Sequence, residues 1–115
     1  MPKKQYRLFY RDIEIGEIIQ EGSDFPNVFG KFRPAAESHG GTTRDRIQQY
    51  IDYSVAADQL LQEGKEEDWD RFCAENEPQF FDLVETEDWH VLGEKGAEPI
   101  GAPIFCQDGS IVWRW

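Results

Sequence analysis

The chain has 115 residues, with 12 Lys or Arg against 23 Asp or Glu, a formal net charge of −11. That length fits one domain, and a hydrophobic share of 39% with 14% aromatics excludes a disordered acidic chain, which lacks apolar surface to offset its ordering entropy. The negative surplus argues against nucleic acid and against an anionic membrane surface as partners, because both would repel it. No apolar run approaches the ~18 residues that span a bilayer. The basic start Met1-Pro2-Lys3-Lys4 has no apolar stretch behind it, so a cytoplasmic protein, bacterial by its size and style, is the expectation.

Tyr6–Ile19 reads as a β-hairpin. Tyr6, Leu8 and Tyr10 alternate with Arg7, Phe9 and Arg11, and Arg11-Asp12 is the turn. Ile13 and Ile15 share one face, and Ile18 breaks that parity, which predicts a bulge near Gly16. Gly22-Ser23-Asp24-Phe25-Pro26 is turn chemistry. Val28, Gly30 and Phe32 predict a third strand ending before Pro34, and residues 35–41 a loop. Thr42 and Asp45 stand at capping-box spacing. Ile47, Tyr50, Ile51, Ser54, Val55 and Leu61 then trace one helical face, with Gly64 as its stop. A second helix starts near Lys65, with Trp69, Phe72 and Cys73 at i, i+3, i+4 and Glu66, Glu67 and Asp68 favourably placed in its first turn. Phe80, Phe81, Leu83 and Val84 suggest a short third helix after Pro78. Trp89–Leu92 reads as a strand and 93–101 as a loop. Residues 103–107 and 110–115 form a hairpin around Asp108-Gly109, the strongest turn signal in the chain. The order βββααβββ predicts an α+β domain over residues 1–115. Its antiparallel sheet has five to six strands, with two or three helices on one face.

The charge is not spread evenly. Residues 63–88 hold eleven acids against Lys65 and Arg71, whereas residues 1–46 hold eight bases against seven acids. One reading is a solvated helix face that confers solubility. The sharper one is a docking surface for a basic protein, formed by Glu66, Glu67, Asp68, Trp69 and Asp70, which would steer encounter. The segment Ser23, Asp24, Phe25 is a second binding candidate, since recognition residues concentrate on loops.

Catalytic signals are weak. His39, His90, Cys73 and Cys106 lack the spacing of a zinc site, so no metal and no cofactor is expected. No nucleophile elbow occurs, and Cys106, alone in a strand pattern, lacks the electropositive setting that activates a thiolate. Gly40-Gly41-Thr42-Thr43 precedes a helix start that could hold an anion, with Arg44 and Arg46 to assist, but the P-loop ending is missing. The two cysteines fit a reducing compartment and small buried positions.

Leu8-Phe9-Tyr10 with Gly16-Glu17-Ile18, then Ser23-Asp24-Phe25-Pro26, Gly30-Lys31-Phe32-Arg33-Pro34 and the closing Ile104-Phe105, Asp108-Gly109, Val112-Trp113-Arg114 form a pattern. It resembles a group of small uncharacterised bacterial proteins. The resemblance covers both ends of the chain and implies a small α+β domain, with no activity attached. Asn27 departs from the aromatic expected after the Phe-Pro pair.

Together these readings favour a non-enzymatic protein-binding module, immunity- or inhibitor-like. The alternative is a small-ligand binder or enzyme with a pocket between sheet and helices, lined by Tyr50, Trp89 and Trp113. A homodimer is a further expectation, through the C-terminal strand as an exposed sheet edge.

Overall fold

A computed structural model describes residues 4–24, 27–35 and 41–114. The fold is α+β, with a seven-stranded antiparallel sheet and two helices. The strands are β1 (Gln5–Tyr10), β2 (Ile13–Asp24), β3 (Asn27–Pro34), β4 (Trp89–Gly93), β5 (Gly96–Pro99), β6 (Ile104–Phe105) and β7 (Ser110–Arg114). The helices are α1 (Gly41–Gln62) and α2 (Glu66–Asn76), followed by a 3₁₀ turn over Glu77–Phe80 and one α-helical turn over Phe81–Val84. Spatial order is β5-β4-β1-β2-β3-β7-β6. No described helix is long and apolar enough to cross a membrane.

The first hairpin closes at Tyr10↔Ile13. Arg11 takes φ 56° there, a left-handed conformation that costs a residue with a Cβ roughly 1–2 kcal/mol. Asp88 offsets it: its carbonyl accepts from the Arg11 N–H at 2.8 Å, and its carboxylate pairs with the Arg11 guanidinium at 3.0 Å. Leu8 pairs with Gly16 while Phe9 pairs with Glu14, so Ile15 is the extra residue of a bulge. The bulge turns Ile15 inward beside Gly16 and restores inward parity for Ile18, which explains the broken alternation. Gly16 is needed: a Cβ there would lie 2.3 Å from the Arg33 carbonyl oxygen and 2.7 Å from the Phe32 ring. A second register shift, between Gln20 and Gly22, leaves Glu21 as the extra residue.

Ser23 and Asp24 belong to the β2–β3 ladder, paired with Val28 and Asn27, and not to a loop. The ladder carries β2 on to Asp24, beyond the turn expected from Gly22, and Phe25 and Pro26 lie outside the described residues. Residues 93–101 are not a loop either. Gly93↔Gly96 closes a turn over Glu94-Lys95, and Gly96–Pro99 pairs with β4. This strand was hidden because Gly-Ala-Glu-Pro carries no β-branched or aromatic residue. The sheet therefore has seven strands, against the five to six expected.

The sheet curls until its edges meet. The Ile100 N–H donates to the Trp89 carbonyl of β4 at 3.1 Å, and the next N–H, of Gly101, donates to the Arg114 carbonyl of β7 at 3.0 Å. Successive strand residues point their N–H groups in opposite directions, so one chain segment bridges both ends of the sheet. This corrects the expectation that the C-terminal strand is an edge. β7 lies between β3 and β6, its end is covered by Gly101, and Trp113 is buried.

Helix α1 ends in a Schellman motif. Lys65 N–H donates to Leu60 O and Gly64 N–H to Leu61 O, with Gly64 at φ 75°. Its inward residues are Ile47, Tyr50, Ser54 and Ala57. Leu61, expected on that face, is 42% exposed because the helix runs past the sheet there. The same face seals the open side of β6. Tyr50 Oη donates to Pro103 O at 2.8 Å; Ser54 Oγ donates to Phe105 O at 3.0 Å and accepts from Phe105 N–H at 2.8 Å; Asp58 accepts from Gln107 N–H at 3.1 Å. Four helix residues rise ~6.0 Å and two strand residues ~6.7 Å, so steps of four match steps of two.

The core joins Leu8, Ile15, Ile18, Val91, Phe105, Ile111 and Trp113 of the sheet to Ile47, Tyr50, Phe80 and Leu83 of the helical layer. Of Phe80, Phe81, Leu83 and Val84, expected as a short third helix, Phe81–Val84 form a single helical turn, with Phe80 and Leu83 buried and Phe81 51% exposed.

Candidate interaction surface

Helix α2 contributes no fully buried residue. Its apolar side leans on α1, where Phe72 stacks on Tyr53 with ring centroids 5.6 Å apart. Trp69, Phe72 and Cys73 are half-buried along this seam. Glu66, Glu67, Asp68 and Asp70 occupy the rest of the helix circumference, all exposed. Among the described residues none of these four carboxylates forms an ion pair; Lys65 is held by Glu63 at 3.0 Å, which draws the Glu63 carboxyl below its usual range. The three acids of the first turn sit at the positive end of the helix dipole. The α2 candidates thus share one short helix, with Trp69 half-buried beside them. The Ser23–Phe25 candidate is not brought near them by any described contact: Ser23 and Asp24 are strand residues, and Phe25 is outside the described residues.

The other candidates resolve differently. Tyr50, Trp89 and Trp113 are each buried in the core; Tyr50 and Trp89 have ring centroids 6.2 Å apart, and Trp89 Nε1 donates to Leu83 O at 2.7 Å. The aromatic content of the sequence could not distinguish a lined cavity from a filled one, and here the rings fill the space. At the start of α1, Arg44 donates to Glu14 O at 2.6 Å, and Arg46 donates to Gln79 O at 2.8 Å and pairs with Asp82. Both guanidiniums therefore hold the start of α1 to the rest of the fold; His39 and Gly40 lie outside the described residues.

Cys73 and Cys106 are free. Burial, ahead of smaller effects from Ser110, Asp58 and Asp108, pushes the Cys106 thiol up, away from the reactive thiolate. His90 stacks on Phe9 with centroids 5.2 Å apart. Among the described residues no three metal-ligating side chains converge.

One cleft escaped the sequence reading. It holds about 190 Å³ and is lined by Lys4, Tyr6, Val91, Glu94, Lys95 and Glu98. It exists because the 93–96 turn, itself unforeseen, stands beside the start of β1. Burial first, then Glu98 and Glu94, push the Tyr6 hydroxyl up, so it stays protonated and serves as a hydrogen-bond donor to Gln20.

Compared with protein-family models, curated proteins and solved structures, the chain matches none of them.

Proposed function

We propose that the protein is a small binding module whose α2 face docks a basic protein, in the manner of an inhibitor or immunity protein covering a positive surface. One observation carries this reading. Among the described residues Glu66, Glu67, Asp68 and Asp70 stand exposed and without ion pairs, on a helix that gives the core no fully buried residue. A helix held along its α1 seam keeps the carboxylates away from that seam available to a partner. Half-buried Trp69 supplies an aromatic anchor of the kind that dominates interface energetics. The surplus of nine acids in residues 63–88 would raise the encounter rate with a cationic partner about 10- to 1,000-fold, falling with ionic strength. The two unpaired thiols fit a reducing cytosol, where the module would work.

The test is co-purification from the source cells with tagged wild type and with Glu66→Gln/Glu67→Gln/Asp68→Asn/Asp70→Asn. A basic protein retained in stoichiometric amount by the wild type, and lost from the variant at equal thermal stability, is the expected result. Equal retention by both chains overturns the reading.

A further inference from the structure

The cleft beside the Glu94-Lys95 turn has its cause in the register. Leu8 is opposite Val91 and Val91 is opposite Glu98, so the three share the inward face of β1, β4 and β5. Two residues farther along each strand, the same face carries Tyr6, Gly93 and Gly96. The two glycines leave space where side chains would stand. The Tyr6 ring lies over Gly93, where a Cβ would come within 2.9 Å of it. Trp113, from the other end of the curled sheet, meets that ring edge-on with centroids 6.0 Å apart and backs it from the core side. Glu98 stands out in this setting. Among the described strand residues of inward parity it alone is charged, and it is half-buried. A carboxylate on the core side of a sheet is costly unless cations or donors meet it. Among the described residues the ion pairs are Arg7–Glu14, Arg11–Asp88, Arg46–Asp82 and Lys65–Glu63. Glu98 belongs to none of them, and neither do Glu94, Lys4 and Lys95, which border the same cleft.

We propose that this cleft binds a free α-amino acid. Charge selects the class. Two carboxylates and two ammonium groups surround one space, none of them paired within the fold. A lone cation or a lone anion would be attracted by two of these groups and opposed by the other two, whereas a zwitterion meets both signs. Its ammonium goes to Glu98, half-buried where the other three are exposed. The Tyr6 ring borders the same space, and an aromatic face also attracts a cation. The ligand carboxylate goes to Lys4 and Lys95 at the rim, and Val91 gives its side chain an apolar floor. Size narrows the choice. A cavity of ~150 Å³ takes up benzene, so this one admits roughly eight to ten non-hydrogen atoms, given its volume of about 190 Å³. That is an amino acid with a short side chain and excludes a nucleotide.

Amide-resolved NMR of the whole chain, titrated separately with each of the common amino acids, decides the matter. At least one should shift the signals of Gly93, Gly96 and Glu98 saturably, with a Kd on the order of 1 mM or tighter, the range open to so small a ligand. Its N-acetyl derivative lacks the ammonium and its amide lacks the carboxylate, so each should bind at least ~10-fold more weakly. Glu98→Gln keeps the shape and removes the charge; it should also weaken binding at least ~10-fold with the melting temperature not lowered. Lys95→Gln, on the exposed turn, should act in the same direction. Helix α2 lines no part of the cleft, so Glu66→Gln/Glu67→Gln/Asp68→Asn/Asp70→Asn should bind as the wild type does. The absence of a saturable shift with every amino acid overturns the proposal. An N-acetyl derivative that binds as tightly as its parent would mean an apolar cleft alone and overturns it, and so does a Glu98→Gln chain that binds as the wild type does. Equal loss of binding in the α2 variant would mean a general effect of charge and overturns it too.

Discussion

Ser54→Ala tests how the open side of β6 is held. One hydroxyl serves both backbone groups of Phe105, donating to its carbonyl at 3.0 Å and accepting from its N–H at 2.8 Å. Both residues are buried, Ser54 at 6% and Phe105 at 2% exposure, so water cannot replace the hydroxyl without opening the helix from the strand. A buried group left unsatisfied costs about 1–3 kcal/mol. Two such groups, less the desolvation of the hydroxyl removed, give a net loss of about 2–4 kcal/mol. Unfolding entropy near 2.1 cal/mol/K per residue turns that into a fall in melting temperature of roughly 8–16 °C for a chain of this size. Urea titration should show the midpoint falling with an unchanged slope, because the surface exposed on unfolding is the same. Asp58→Asn keeps an acceptor for the exposed Gln107 N–H and should stay within ~0.5 kcal/mol of wild type. A Ser54→Ala chain that also falls within ~0.5 kcal/mol would refute the claim that this hydroxyl closes the sheet.

Gly30→Ala should cost more than ~2 kcal/mol in chemical denaturation, since its Cβ would sit 2.2 Å from the Ile19 carbonyl oxygen and that backbone cannot yield. Gly64→Ala meets nothing within 4 Å and is disfavoured only by φ +75°, so about 1 kcal/mol is expected. Burial, with a smaller contribution from Glu77, pushes the Tyr50 hydroxyl from 10.0 up to about 12. The folded state thus holds this proton more tightly than the unfolded one. The resulting stability is complete below pH 10 and is lost as pH rises through about 12. Tyrosinate absorbance should show Tyr50 ionising together with unfolding, and a Tyr50→Phe chain should lack that step.

Much of the fold was written in local pattern. The broken parity at Ile13, Ile15 and Ile18 announced the bulge, Gly64 announced the helix stop, and Asp108-Gly109 announced the last turn. β5 left no trace because its pairing comes from β4 and from the turn at Glu94-Lys95, not from its own residues. Ser54 looked like one more inward position on a helix; its partner is 51 residues away, and no local pattern could reveal it. The meeting of the sheet edges at Ile100-Gly101 is hidden for the same reason. The candidate surface was legible as charge, because acids on an exposed helix need no tertiary context to be counted. Tyr50, Trp89 and Trp113 are buried, and their composition advertises apolar surface equally well whether such rings line a cavity or fill one.

The proposed docking role rests on the α2 carboxylates steering a basic partner. Its most direct measurement is the association rate of the co-purified basic protein with wild type and with Glu66→Gln/Glu67→Gln/Asp68→Asn/Asp70→Asn, followed by stopped flow from low to physiological salt. The predicted result is a rate at low salt on the order of 10-fold or more slower for the variant, with the two rates converging as salt rises. Equal rates at low salt would contradict the claim and leave the acids of α2 as a solvated face.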